Sequence, residues 1–561
     1  MFNKNIWPKL TILTVLLFMS VWFLNNSFAS NEQRYLKLDK GLFYLKQVYE
    51  TISRNYVDNV DPEGLSKSAI QGIVEELDPY TVFFEKKGSE NLEIITKGKY
   101  GGLGMEIGKR EGNITIISPI DDTPAQRAGL RAGDIIINID DEPTSDMSLE
   151  EASSKLRGKV GTDVTIDIER PGVNDSITLT LTREEIVIKD VSFAEFIEPG
   201  TALFRLTSFS DKASSELRQA VIQLQKEGQI ERVILDLRGN PGGLLASAVE
   251  VANIFIPKDE LIVTTRGTHE REAEYLTTAS AMLPDIPITV LVDGGSASAS
   301  EIVAGAVQDL DRGVVLGSKT FGKGLVQQVY PVDKVNDAFI KITTAKYYIP
   351  SGRCIQKEDY KRNKEVFSDI TDSTEFDNHK KYFTKNGRIV YGGGGISPDV
   401  NVRSYIPNYY ITALWANGHF FNFTVDYLAK HPDFKPNNGT SVSDDILYDF
   451  QNYLSEKEIT FDIEGENELE DFLDIAEEQR YNEDVIELIN VALEKLDKEK
   501  ATQFEQNVDK IREYLELEFA EKLDGSSARF ATLLKYDKTV DKALEILHSL
   551  DNYQQILATS N

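Results

Sequence analysis

Residues 288–310 read ITVLVDGGSASASEIVAGAVQDL. The apolar run Ile288 to Val292 has the length and composition of a buried strand. Asp293-Gly294-Gly295 turns the chain, and Ile302, Val303, Ala306, Val307 and Leu310 then recur at the three- and four-residue steps of one helix face. Strand, glycine turn and helix in that order are how α/β sheets are written. Ser296, Ser298 and Ser300 sit on the turn, where the free N–H groups and positive end of a starting helix favour negative charge forming beside a hydroxyl. Such serines also serve as plain N-caps, so the turn alone does not decide between the two roles.

The same grammar extends on both sides. VILDL (233–237) and VVL (314–316) read as further strands, and Leu217, Val221 and Leu224 mark a helix before the first of them. The stretch 317–324, GSKTFGKG, has Gly317, Gly322 and Lys323 at the spacing of a phosphate-binding P-loop. Its last position is Gly324, which has no hydroxyl to hold magnesium, so nucleotide hydrolysis is disfavoured. If the two strands VLV and VVL are neighbours, Lys323 lies beside the serine turn. A lysine held neutral by burial can take a proton from serine, which requires its pKa to fall by about three units, on the order of 4 kcal/mol. The glycines of RGNPGG (238–243) follow a buried strand and allow close backbone approach to a substrate carbonyl.

Outside this region the patterning changes. Residues from Arg34 to Thr96 are helical in period, with Leu42, Leu45, Val48, Tyr49 and Ile52 on one stripe, until LDPYTVFF (77–84) interrupts. A glycine-punctuated β-rich module follows, with strands at Ile114 to Ile117 and Val164 to Ile168 and a helix near Leu149 to Leu156. Beyond Asn401 the chain is acidic and helical: Val485, Leu488, Ile489, Ala492, Leu493 and Leu496 form one stripe, and Phe504, Val508, Ile511 and Leu515 another. Its Glu and Asp read as a solvated face.

The chain has 561 residues and a formal net charge of -30, which disfavours nucleic acid and anionic lipid as partners. One cysteine, Cys354, read as a structural thiol, permits no internal disulfide, and five scattered histidines show no metal-ligand spacing, so neither a metal nor another cofactor is expected. Lys4 and Lys9 precede the apolar run Leu10 to Leu24, and Ser27-Phe28-Ala29 resembles a cleavage site. Export is expected, to a bacterial periplasm, with an uncleaved inner-membrane anchor as the alternative.

SASASEIVAG, QD, TFGKGLVQQ and LDLRGNPGG together resemble the carboxyl-terminal processing peptidases, or tail-specific proteases, from about Leu42 to Val402. The resemblance implies Ser298 as nucleophile, Lys323 as general base and Gln327 as the residue that orients the lysine amine. It implies an accessory acid at Asp309, and oxyanion donors at Ala299 and at Gly242 or Gly243, which sequence does not separate. Gly102-Leu103-Gly104-Met105, with AGLRAGDIIINIDDEP (128–143) and SLEEASSKLRGKVGT (148–162), is similar to PDZ domains of this family. There Leu103, Gly104 and Met105 would grip a peptide C-terminus and Arg157 would couple capture to the active site.

The implied architecture is multidomain α/β: a signal peptide at 1–29, an N-terminal helical domain at 30–96 and a PDZ domain at 97–184. A crotonase- or ClpP-like protease core spans 185–402, with a polar insertion near 358–390, and an acidic helical domain spans 403–561. The insertion reads as a lid or a tolerated surface loop, and the last domain as a site for dimerisation, gating or an adaptor. The implied function is a serine endopeptidase that reads exposed apolar C-termini of exported proteins. The rivals are an inactive PDZ scaffold, a crotonase-like acyl enzyme requiring coenzyme A, and an NTPase.

Overall fold

The computed structural model describes residues 35–335, 337–357, 380–403, 405–434, 442–457 and 459–558. The export signal expected at 1–29 and most of the insertion near 358–390 lie outside the described residues.

The central sheet has six strands in the order Val191–Glu198, Thr201–Leu206, Arg232–Asp236, Ile288–Val292, Val314–Gly317 and Val400–Asn401. The first pair is antiparallel and every later pair parallel. Parallel strands are buried on both faces, which is why they are written as continuous apolar runs. Val233 and Leu235 pack on one side with the helices Ala213–Glu227, Leu245–Phe255 and Ala299–Asp309. Ile234, Leu291 and Leu316 point to the other side, which is covered by Phe530, Val540, Ala543, Ile546, Leu547, Tyr553 and Leu557. The end of the acidic helical region therefore supplies one layer of the central core. The sequence placed it in a separate domain because its stripe names no partner.

A second sheet packs beside the first. Its hairpin, Leu325–Asp333 with Ala338–Tyr348, pairs with Val82–Phe84 and Leu261–Arg266. The N-terminal segment thereby joins the core through the LDPYTVFF stretch. Residues 35–55 and Pro62–Glu75 are helical, the latter started by Asp61, whose carboxylate accepts the N–H groups of Glu63 and Gly64. The stripe Leu42, Leu45, Val48, Ile52 faces solvent rather than a core of this chain.

The β-rich module is a sheet in the order Met105–Arg110, Asn113–Pro119, Ile135–Ile139, Asp163–Glu169, Ile177–Thr182, closed by the helix Leu149–Leu156 over its own core. The paired segments Lys99–Gly102 and Glu184–Val187 carry the chain in and out side by side, the connection expected of an inserted domain. On another face the module meets the helix His419–Lys430: Asn422 donates to Glu111 at 3.1 Å, and Arg110 lies over the Phe421 ring.

Candidate active site

Adjacent parallel strands bring the two turns together. Ile288–Val292 and Val314–Gly317 pair directly, with Val292 opposite Gly317. The loops that leave their C-terminal ends are then tied to each other: Ser318 N–H donates to Val292 O at 3.1 Å and Phe321 N–H to Ser296 O at 3.1 Å.

Three serines on the first turn have three different environments. Both Ser296 and Ser300 are fully buried: the Ser296 hydroxyl donates to Leu237 O, just before the RGNPGG segment, at 2.8 Å, and the Ser300 hydroxyl to Asn240 O within it at 2.9 Å. Ser298 is half-buried, begins the helix Ala299–Asp309, and has φ 55° and ψ -111°. A positive φ is costly for a residue with a Cβ and is retained where the surrounding structure enforces it. Here the enforcing group is Glu301. Its fully buried carboxylate accepts the N–H of Ser298 at 2.9 Å, of Lys323 at 2.9 Å and of Gly322 at 2.8 Å, with the Thr320 hydroxyl at 2.5 Å. Burial pushes its pKa up to about 7, against the pull of those four donors.

Lys323 sits on the second turn with its amine 4.8 Å from the centre of the Tyr80 ring. Burial, helped by the Lys341 cation, brings its pKa down to about 8, against the opposing attraction of Glu301 and Asp78. Tyr80 is presented by a tight turn in which Asp78 accepts the N–H groups of Tyr80 and Thr81, both at 2.8 Å. A third connection comes from Tyr347, whose hydroxyl is 2.5 Å from Lys323 O and 3.1 Å from Ser298 O.

The RGNPGG segment lies against the serine. A Cβ on Gly242 would stand 2.8 Å from Ser298 Cβ and 2.7 Å from Ala297 O. Gly242 N–H is already used, donating to Asn240 Oδ1 at 2.9 Å, whereas the N–H groups of Gly243 and Ala299 have no acceptor among the described residues. Of the two glycines the sequence left open, Gly243 is the one with a free donor. Ser298, Lys323, Gly242, Gly243 and Ala299 thus converge.

Other expected residues fall elsewhere or are differently engaged. Gln327 follows on the strand Leu325–Asp333, but its Nε2 is buried without a partner, and among the described residues no hydrogen bond joins it to the Lys323 amine. Asp309 lies at the opposite end of the helix from Ser298, in a fully buried ion pair with Arg353 at 2.7 Å, and also accepts Ser351 N–H at 2.9 Å. This environment gives it a structural task rather than contact with the reacting groups. Leu103, Gly104 and Met105 form a separate locus on the β-rich module. There Gly104 O accepts the Ile120 N–H and the Thr123 hydroxyl, both at 2.9 Å, while the N–H groups of Leu103 and Gly104 have no acceptor among the described residues. The edge strand Met105–Arg110 that follows is paired on one side only. Arg157 closes the helix Leu149–Leu156 and lies over the ring of Tyr100, on the segment that leads into this loop.

Sequence reasoning singled out none of Tyr80, Glu301 and Tyr347. Glu301 had a signal, since a glutamate three residues after a serine at a helix start is a capping pattern. Tyr347 had none.

Comparison with known proteins accounts for this set of parts. The Peptidase family S41 model matches residues 200–366, and a PDZ domain model matches 115–170. A carboxy-terminal-processing protease of Bartonella bacilliformis is 38% identical over 332 residues, 58% of this chain and 75% of that protein. The chain belongs to the carboxy-terminal-processing proteases. It is accordingly a serine-type peptidase with a PDZ domain, and peptide or protein C-termini are the class of ligand that goes with that pairing. The carboxy-terminal processing protease CtpB of Bacillus subtilis is 36% identical over 326 residues, 57% of this chain and 66% of that protein. Two further models match the flanks: "Activating protease CtpB N-terminal domain" at 22–88 and "Probable PDZ-protease, C-terminal helical domain" at 410–547. A solved photosystem II D1 C-terminal processing protease is 28% identical, covering 64% of this chain and 92% of its own, with a TM-score of 0.34.

Proposed function

We propose that this peptidase cleaves by a Ser298–Lys323 dyad after its PDZ domain has captured the C-terminal tail of an exported protein. The observation that carries the reading is the double tie between the two turns. Glu301 accepts both backbone N–H groups, and the Tyr347 hydroxyl meets both carbonyl oxygens.

In this mechanism the neutral amine of Lys323 takes the proton of Ser298 Oγ as that oxygen adds to the scissile carbonyl carbon. The charge that forms on the carbonyl oxygen is met by the N–H groups of Gly243 and Ala299. Collapse expels the amine of the leaving peptide, which receives the proton from the lysine ammonium and leaves an acyl-serine. Water, deprotonated by the same lysine, then hydrolyses the ester and returns the proton to Ser298. Gln327 carries a buried Nε2 with no partner, and turning this side chain so that its Oε1 accepts an N–H of the Lys323 amine would orient the base while leaving its lone pair for the Ser298 proton. Catalytic hydrogen bonds commonly tighten only when substrate is bound, so the Tyr80-facing amine fits a resting state.

Tail capture rests on the free N–H groups of Leu103 and Gly104, placed to receive a terminal carboxylate, and on the unpaired edge of Met105–Arg110, placed to receive the tail as an added strand. Export is read from the basic, apolar and small-residue pattern of residues 1–29. The test compares a substrate carrying a free apolar C-terminus with the same substrate amidated there. Loss of cleavage on amidation supports the reading, and equal cleavage removes tail capture from it.

A further inference from the structure

Arg238 is the first residue of the segment that supplies the oxyanion donor, and its guanidinium is shared by carboxylates from distant parts of the chain. Its Nε and Nη2 bond to Asp236 at 2.9 and 2.7 Å, and Nη2 is also 2.7 Å from Asp537 Oδ2. The side chains of Asp236 and Asp537 are 0% and 7% exposed, so the cluster is largely shielded from water. Asp537 has a second task. Its Oδ1 accepts the N–H groups of Thr539 at 2.9 Å and Val540 at 3.2 Å, which caps the helix Lys538–His548. That helix is fixed in turn, because Val540, Ala543, Ile546 and Leu547 are buried against the central sheet.

From Arg238 the connections run straight to the serine. Gly239 N–H donates to Asp293 Oδ1 at 2.9 Å, and Asn240 O accepts Ala297 N–H at 3.0 Å and the Ser300 hydroxyl at 2.9 Å. Gly242 then packs on Ser298 itself. An oxyanion donor contributes only if it stands within a few tenths of an ångström of its working position, so whatever sets the start of this segment sets its effect.

We propose that Asp537 is a positioning residue for acyl transfer: through Arg238 it fixes the Gly242–Gly243 segment over Ser298, and so makes the C-terminal helical region part of the active-site support. The inference rests on the reading of Gly243 and Ala299 as oxyanion donors.

Asparagine caps helices as well as aspartate does but carries no charge. Asp537→Asn therefore separates the two tasks of this residue. The full-length chain, Asp537→Asn, Asp537→Glu and Ser298→Ala are compared for kcat and KM on a tail-bearing protein, for affinity toward a peptide boronate and for Tm. A boronate adds to a serine and places an oxygen in the oxyanion position. For Asp537→Asn the expected result is a fall in kcat of about ten-fold, the scale of a lost charge-assisted hydrogen bond. KM should change little, boronate affinity should fall in step with kcat, Tm should stay close to that of the unaltered chain, and Asp537→Glu should recover part of the rate. Unchanged kcat and boronate affinity in Asp537→Asn, with Ser298→Ala inactive, would overturn this inference alone. Cleavage by Ser298→Ala at the rate of the unaltered chain would overturn the dyad and this inference together.

Discussion

The hydroxyl of Tyr347 lies 2.5 Å from the carbonyl oxygen of Lys323, across a span of 24 residues. It donates to that oxygen and stands 3.1 Å from the carbonyl oxygen of Ser298, so one buried phenol sets the separation of the proposed nucleophile and base. Tyr347→Phe keeps the ring and its packing but leaves the Lys323 carbonyl without its hydroxyl partner and loosens the tie to Ser298 O, which still accepts the N–H groups of Glu301 and Ile302. The expected outcome is a loss of about 1–2 kcal/mol in transition-state stabilisation, read as a fall in kcat/KM of about ten-fold, with near-normal expression.

Lys323 gives the pH dependence a definite sign. The base must be neutral, so kcat/KM is expected to rise with pH through an ascending limb near 8. Folding lowers this pKa, so the unfolded chain binds more protons between about 8 and the ordinary lysine value, and stability rises with pH across the same window. The Lys341 charge helps to hold the amine down, and Lys341→Ala should move the ascending limb to higher pH. A limb that stays in place would show that the Lys341 charge does not act on the amine, leaving burial opposed only by Glu301 and Asp78 to set the value.

Gly242 has a φ of 101° and no room for a side chain. In Gly242→Ala the new methyl would meet Ala297 O at 2.7 Å, Ser298 Cβ at 2.8 Å and Ala299 N at 2.9 Å. Those atoms are the serine turn itself, so the expected outcome is loss of turnover with the PDZ domain still folded, seen as retained tail-peptide binding. Gly239→Ala has open space around its Cβ but a φ of 67°, and a smaller loss is expected there.

Much of this site is legible in the chain because both turns announce themselves locally. The apolar run before Asp293 and the stripe after Ser298 define a strand–turn–helix, and the glycines around Lys323 mark the second turn. What holds the turns together is not local. Tyr347 reaches Ser298 across 49 residues, and Tyr80 comes from a segment whose only sequence mark is a proline that breaks a helix. The choice between Gly242 and Gly243 was closed to sequence because it depends on which N–H the Asn240 side chain occupies. The same limit explains the C-terminal helices: Val540, Ala543 and Ile546 show an apolar stripe, but its partner strands lie far back in the chain.

Asp309 separates a structural from a catalytic acid. Its pairing with Arg353 is fully buried, and removing one partner of such a pair leaves an uncompensated charge, at a cost of about 3–5 kcal/mol. Asp309→Ala is therefore expected to lower Tm and soluble yield, whereas the folded fraction that remains should titrate with the same ascending limb as the unaltered protein. A displaced limb at normal Tm would place Asp309 in the proton-transfer machinery instead.

The central claim is that Ser298 and Lys323 perform the chemistry as a pair. The most direct measurement is mass spectrometry of products from an unfolded protein with an apolar C-terminal tail, incubated with the full-length chain, Ser298→Ala and Lys323→Ala. The account predicts defined cleavage products from the unaltered chain and none from either variant, with both variants still binding the tail. Normal cleavage by Lys323→Ala would contradict the assignment of the base, and normal cleavage by Ser298→Ala would contradict the nucleophile.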